Sequence, residues 1–325
     1  MLQAVSAPAA VPETLAATNR SDGAFSPADW LVFAAISGIW GASFLFIAIG
    51  LDSLEPGVIT LMRVGLGAVT LAALPGARVR IDPEDRARLV AVSVLWVGIP
   101  FTLFPLAEQR INSAVTGLLN GATPMFAALF AATLFGRRTT GAQLLGVVVG
   151  FGGIVLISLP SLGEGSTEAL GVGLVLLATV CYGLATNLVA PLQGRYGSQA
   201  VMGKMLALAT IWTLPYGLLS LDGSRVEAGP IAAIVVLGVV GTGLAFLLMG
   251  GLVGRVGPTR ATFITYCMPP VSLALGVVFQ GDHVAALALA GVVLAIAGAV
   301  LAGRPVAVRA AKPAITSSDV AVEPG

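Results

Sequence analysis

SAVTGLLNGATPMFAALFAATLF (113–135) is the stretch whose reading decides the fold. It is apolar and long enough to cross a bilayer, which takes about 20 residues of helix. Asn120 and Pro124 sit near its middle. Pro124 has no N–H, so in a continuous helix the carbonyl of Asn120 has no partner four residues on. In hydrocarbon that carbonyl must be satisfied by protein, water or a ligand. The pattern recurs in TRATFITYCMPPVSLALGVVFQ (259–280), where Pro270 frees the carbonyl of Tyr266. The sequences that follow also match: Gly136-Arg137 against Gly281-Asp282, then LLGVVVGFGGIVLI (144–157) against LAGVVLAIAGAVLA (289–302). A doubled membrane helix, broken at Pro124 and at Pro270, is the organising element.

The whole chain reads the same way. Its 325 residues are 57% hydrophobic and 10% charged, with a mean hydropathy of +0.95. Soluble domains carry about 25% charged residues, so composition places this chain in a membrane. A net charge of +1 argues against a nucleic-acid partner. Cys181 and Cys267 both fall inside apolar runs, and with one histidine, His283, they form neither a disulfide pattern nor a metal site. Gly197 to Lys204 misses a phosphate loop in glycine spacing and in the residue after the lysine. No cofactor is expected.

Ten apolar runs have spanning length: about 29–50, 56–75, 88–108, 113–135, 141–159, 168–190, 200–219, 230–251, 258–279 and 285–303. Residues 1–28 and 304–325 read as disordered cytoplasmic tails. With both termini inside, thirteen of the 17 Lys and Arg residues fall in cytoplasmic segments and two, Arg110 and Arg225, in the opposite loops. That asymmetry orients the chain. Runs one to five (29–159) resemble runs six to ten (168–303): Trp40-Gly41 faces Tyr182-Gly183, Arg63 faces Lys204, and Pro124 faces Pro270. Five spans per half force the second half to enter upside down. The expected fold is therefore all-α, with ten transmembrane helices in two inverted five-helix repeats and a site between them.

Charges inside spans cost about 3 kcal/mol each at a helix centre. Arg63 lies well inside run two, and Lys204 nearer one end of run seven. Two readings stand for each: an anchor for an anionic group, or a charge that snorkels to an interface. Glu108 closes run three and is a candidate for a proton or charge role, as is Lys204; beside Gln109 and Arg110, Glu108 also reads as an interfacial loop residue. Asn120 and Tyr266, each four residues before its proline, offer polar side chains and open carbonyls at one depth. Trp40 and Tyr182 are candidate cavity walls or plain packing. The proposed binding set is Arg63, Asn120, Tyr266, Trp40 and Tyr182. Asn187 is a further polar candidate. Gly117 with Gly121, and Gly146 with Gly150, mark close helix contacts.

Together these motifs resemble the EamA-type branch of the drug/metabolite transporter superfamily over about residues 29 to 304. The resemblance rests on Trp40-Gly41-Ala42-Ser43-Phe44, on Met62-Arg63, and on the doubled stretches at 118–138 and 263–282. It implies ten helices in two inverted repeats, a central cavity, alternating access, and outward movement of amino acids and other small metabolites across bacterial inner membranes. This chain departs from the family's Gly-Glu pairs at Gly136-Arg137 and Gly281-Asp282.

The expected activity is a secondary transporter of small polar metabolites, amino acids or amino-acid-like compounds, moving them outward. A multidrug-type exporter of lipophilic compounds is the alternative. A lipid-modifying enzyme would need a carboxylate or histidine cluster that the 76–88 loop, with four arginines, does not supply. The partners expected are a small-molecule substrate and the lipid bilayer, with a homodimer left open.

Overall fold

A computed structural model of the chain describes residues 25–136, 140–256, 261 and 263–302. Both tails beyond these bounds, together with Arg137, Arg138, Arg260 and Thr262, lie outside the described residues. The described chain is helical, in the order α1 Pro27–Leu51, α2 Pro56–Ala72, α3 Pro83–Glu108, α4 Ser113–Thr133, α5 Gly141–Glu164, α6 Ser166–Tyr196, α7 Ser198–Leu219, α8 Ala228–Val256, α9 Ile264–Gln280 and α10 Ala286–Ala302.

Six helices, α1, α3, α4, α5, α6 and α8, are long and apolar enough to cross a membrane. The helices α2, α9 and α10 are apolar but shorter. At 17 residues, α2 is about 26 Å long at 1.5 Å per residue. It starts sharply because Pro56 occupies the first turn, where a missing N–H costs nothing. The outward surface is apolar: Val148 of α5 is 68% exposed and Val293 of α10 69%. Exposed apolar side chains along these helices suit lipid and not water. The chain is a multi-pass membrane protein.

Helices break where the sequence removes or crowds backbone donors. In α4 the first segment ends at Asn120 and the second starts at Thr123, with Pro124 in its first turn. In α3 the stretch Ser93–Gly98 widens into a π-helix just before Pro100, and the N–H of Ile99 reaches back to Val94. That extra residue per turn accommodates the proline ring. In α8 the glycine-rich stretch Leu237–Leu244 is also π-helical. α3 begins at Pro83, five residues before the apolar run that the sequence suggested. Glu84 and Asp85 in its first turn complement the positive helix end.

Helices of the first five pack on helices of the second five. α5 lies on α10, α2 on α7, and α4 on α9; α1 packs on α8 and α9, and α6 on α3 and α4. The α5–α10 seam is the tightest. A Cβ on Gly298 would sit 2.3 Å from the amide nitrogen of Gly150, and one on Gly153 would sit 2.4 Å from that of Ala295. Small residues there let the backbones touch, which is the main source of helix association in lipid.

Two loop faces result. The face that holds the described chain ends, here the terminal face, is tied by Arg255 to Asp29 at 2.6 Å and by Arg195 to Asp85 at 2.6 Å. On the far face the Arg225 amide donates to the Ser53 carbonyl at 2.7 Å. There too Asp282 Oδ2 accepts from Ser113 Oγ and from the Ala114 amide, both at 2.8 Å. Asp282, which stands where the resemblance leads one to expect Glu, thus caps the start of α4 from another segment.

Candidate functional site

Arg63 sits about two turns into α2 and is 6% exposed. Its guanidinium lies over the ring of Phe101 on α3, with Cζ 3.8 Å from the centroid. Its Nε donates to Oγ1 of Thr242 on α8 at 3.3 Å. Thr242 belongs to the π-helical stretch, and its hydroxyl donates to the Leu237 carbonyl at 3.1 Å. The widened turn is what turns this hydroxyl toward α2. Among the described residues this is the guanidinium's one hydrogen bond. A guanidinium carries five N–H donors in a fork suited to carboxylate, so most of its capacity is open. A cation–π contact of about 0.5–2 kcal/mol does not fill it.

The charge of Arg63 interacts with Tyr182 and Glu108. Glu108 ends α3. Both its carboxylate oxygens are buried and have no hydrogen-bond partner among the described residues. Among the described residues no ion pair joins Glu108 to Arg63. The next-but-one residue, Arg110, folds back on the Leu106 carbonyl. The helix thus continues to Glu108 and turns its side chain inward.

Aromatic rings wall this centre. Tyr182 packs on Trp96 at 6.3 Å and on Phe104 at 5.9 Å. Trp40 packs on Phe246 at 5.9 Å. Trp40, Trp96 and Tyr182 all contact the buried cluster that holds Val64 and Phe101. The aligned pair Trp40 and Tyr182 therefore meets phenylalanines of α8 and α3, the aligned helices. The glycines beside them behave alike. A Cβ on Gly41 would meet Val271 of α9 at 2.5 Å, and one on Gly183 would meet Phe126 of α4 at 2.6 Å.

Other residues singled out from the sequence lie apart. The Asn120 carbonyl freed by Pro124 accepts from Thr123 Oγ1 at 2.9 Å; only its side-chain Oδ1 is buried without a partner. Tyr266 donates its hydroxyl to the Ala299 carbonyl at 2.8 Å, which commits it to α10 and not to Arg63. The break expected at Pro270 is absent: Ile264–Leu275 is one α-helix that runs through Pro269 and Pro270, with Pro269 buried and Pro270 exposed. A Cβ on Gly121 would lie 2.9 Å from Pro269, so Pro269 is the residue that meets α4. Asn187 donates to the carbonyls of Ala127 and Gly183, both at 3.0 Å, fastening α6 to α4. Lys204 is half-buried and joins no ion pair among the described residues. Thr242 and Phe101 were not legible as site residues. The one sequence sign was the glycine-rich run Gly238, Gly241 and Gly243 around Thr242.

A cavity of ≈ 320 Å³ opens at the far face, lined by Glu108, Arg110, Asn112, Ser161, Glu168 and His283 among others. Glu108 forms part of its wall while its carboxylate oxygens are covered. Among the described residues no group of three His, Cys, Asp or Glu could hold a metal ion.

A helical multi-pass membrane protein with a buried, underfilled cation between its helices is built as a membrane carrier is. The chain belongs to the EamA-like transporter family, whose model matches residues 28–159 and again 169–304. It is 29% identical over 270 residues to a "Probable terminal-alkyne amino-acid exporter" of Streptantibioticus cattleyicolor, covering 82% of this chain and 90% of that one. It is 24% identical over 273 residues to a "Probable amino-acid metabolite efflux pump" of Escherichia coli, covering 80% and 89%. An "Uncharacterized transporter" of Archaeoglobus fulgidus is 25% identical over 269 residues, covering 83% and 96%. These relatives are transporters, exporters or efflux pumps by description, not enzymes. One solved structure superposes with a TM-score of 0.60 at 20% identity, covering 85% of this chain and 96% of that one, and so shares its fold.

Proposed function

We propose that this protein exports small zwitterionic metabolites, amino acids or close analogues, across the bacterial inner membrane by alternating access, with both termini cytoplasmic. The observation that carries the reading is the guanidinium of Arg63. It is buried, mostly unused, and held by Thr242 of the second half while it projects from α2 of the first. A fork of free donors at that point suits a substrate carboxylate, and the rings of Phe101 and Tyr182 suit an apolar side chain beside it.

The moving units in this reading are two inverted five-helix repeats, 29–159 and 168–303. The paired packing of α5 on α10, α2 on α7 and α4 on α9 supports it. So do the matching seats of Gly41 and Gly183. A site at the junction of such repeats is reached from either face as the halves rock. The names of the Streptantibioticus and Escherichia relatives favour amino-acid-like cargo. Reconstituted vesicles loaded with labelled amino acids test the reading. The wild-type protein releases one or more of them and Arg63→Ala does not. Release by Arg63→Ala at the wild-type rate, or movement of a lipophilic cation and of no amino acid, overturns it.

A further inference from the structure

The two halves repeat one contact, and one of them omits a partner. Gly136 and Gly281 follow α4 and α9 with matching left-handed φ values of 61° and 66°. Arg110 precedes Gly136 by as many residues as Arg255 precedes Gly281, so the two arginines are counterparts. On α1 and α6 the pairs Trp40-Gly41 and Tyr182-Gly183 set the register, and Asp29 then falls opposite Gly171. The geometry repeats as well. Asp29 on α1 meets Arg255 at the end of α8, Oδ1 to Nε at 2.6 Å. Gly171 on α6 meets Arg110 just past the end of α3: a Cβ on Gly171 would lie 3.0 Å from that of Arg110. The terminal-face corner therefore holds an arginine and a carboxylate, and the far-face corner holds the arginine opposite a glycine.

Arg110 is little used by the protein itself. It donates to the Leu106 carbonyl and joins no ion pair among the described residues. Of the five N–H donors of a guanidinium, most are left open. Arg110 lines the far-face cavity of ≈ 320 Å³ together with Asn112, Glu168 and His283, a size at the lower end of small-ligand pockets, about 300–1,000 Å³. Glu168 stands one turn before Gly171 on α6, and it too joins no ion pair among the described residues. A cation and an anion thus share one small cavity without pairing. We propose that Arg110 and Glu168 form a second substrate subsite at the far face. Arg110 takes the carboxylate of a small zwitterion, as Arg255 takes that of Asp29, and Glu168 takes its ammonium. Gly171 keeps the subsite open, because an acid at that position would occupy the guanidinium from within. The inference rests on the reading above that the cargo is a zwitterion, and it adds a place where the cargo stops after leaving Arg63. A guanidinium suits the role because its planar fork matches a carboxylate.

The test reads Arg110 directly and needs no transport. Full-length protein in nanodiscs is treated with phenylglyoxal, which modifies open guanidinium groups. The rate at Arg110 is followed by mass spectrometry, with the exposed Arg225 as internal reference. An equimolar mixture of L-amino acids is expected to slow modification of Arg110 several-fold and to leave Arg225 unchanged. L-Alaninamide, which lacks the carboxylate, is expected to give no protection. Sodium acetate, which lacks the ammonium, is expected to protect less than the amino acids, and Glu168→Gln to bring the amino acids down to the level of acetate. Gly171→Asp is expected to protect Arg110 with nothing added, whereas Gly171→Ala, with the same Cβ, does not. If Gly171→Asp does not fold, the wild-type comparisons decide alone. No protection by amino acids, equal protection by alaninamide, or an Arg110 that never reacts overturns the subsite. Equal protection by acetate and amino acids overturns the zwitterion assignment and the role of Glu168. Arg63→Ala, expected to end transport, is expected to keep the protection at Arg110, and its loss overturns a separate subsite. A failed vesicle assay with protection intact overturns the transport reading and leaves the far-face subsite standing.

Discussion

Thr242 Oγ1 lies 3.3 Å from Nε of Arg63, and this bond spans the two halves of the chain. It exists because α8 is π-helical over Leu237–Leu244. The Thr242 hydroxyl closes that widened turn on the Leu237 carbonyl and accepts from Arg63 at the same time. Thr242→Val keeps the shape and deletes both bonds. Hydrogen bonds to a charged group contribute about 1.5–3 kcal/mol, so the apparent KM for transport is expected to rise about tenfold or more. Folding, followed by size-exclusion chromatography and thermal unfolding, is expected to change little. Unaltered KM would show that the orientation of Arg63 does not depend on this contact.

The α5–α10 seam makes a sharper structural prediction. At Gly298 an added Cβ meets the backbone of Gly150 at 2.3 Å, and backbone cannot step aside as a side chain can. Gly298→Leu is expected to separate the two helices, with a loss of several kcal/mol by overpacking and a fall in folded yield. Gly152, two residues from Gly150 on α5 and so on another face of that helix, has nothing within 4 Å of its added Cβ. Gly152→Ala is the control and is expected to be neutral or slightly stabilising, since alanine favours helix by about 1 kcal/mol over glycine. Thermal unfolding in detergent measures both.

How far the sequence could be read follows from what each feature depends on. The seam was legible, because glycines four residues apart on one helix define a face without reference to anything else. The break at Pro124 was legible for the same reason. The break expected at Pro270 is absent, because α9 continues through Pro269 and Pro270. Adjacent helical positions differ by about 100°, so Pro269 turns in toward Gly121 while Pro270 turns out. Glu108 read as an interfacial loop residue because Gln109 and Arg110 follow it. The burial of its carboxylate oxygens is set by how α3 packs on its neighbours, which no local pattern records. The π-helical turns that aim Thr242 and Trp96 leave only a proline or a glycine cluster as their trace.

Asp282 supplies a third prediction, one about helix ends. Its Oδ2 accepts from Ser113 Oγ and the Ala114 amide at the start of α4, where a negative charge also complements the helix dipole. Asp282→Asn keeps an acceptor but removes the charge, for an expected loss of about 1 kcal/mol. Asp282→Ala removes the cap and is expected to cost about 2 kcal/mol. Hydrogen exchange of the 113–117 amides checks this: protection is expected to fall in the order wild type, Asn, Ala. The same order in the broken helix near Thr123 would mean that the whole of α4 loosens, and not its first turn alone.

The face assignment is tested by labelling. Arg80 lies before α3 near the ion pairs of the terminal face, and Arg225 lies before α8 bonded to the Ser53 segment of the far face. Both are exposed. The proposed orientation, from the excess of basic residues in the segments that include Arg80, has that face in the cytoplasm. In a background with Cys181 and Cys267 replaced by Ser, a cysteine at position 225 is expected to react with a membrane-impermeant maleimide on intact cells. A cysteine at position 80 is expected to react only after the cells are opened. Because α2 runs from one face to the other and α7 packs along it from the second half, the pair also reports on inversion. Tyr196 bonds to Asp82 at the end of α6, so a cysteine at Gln199, at the start of α7, must label with position 80. A cysteine at Ser220, at the other end of α7, must label with position 225. Labelling of positions 199 and 220 from one side would place both ends of α7 together and end the two-repeat reading, whichever way the chain as a whole is turned.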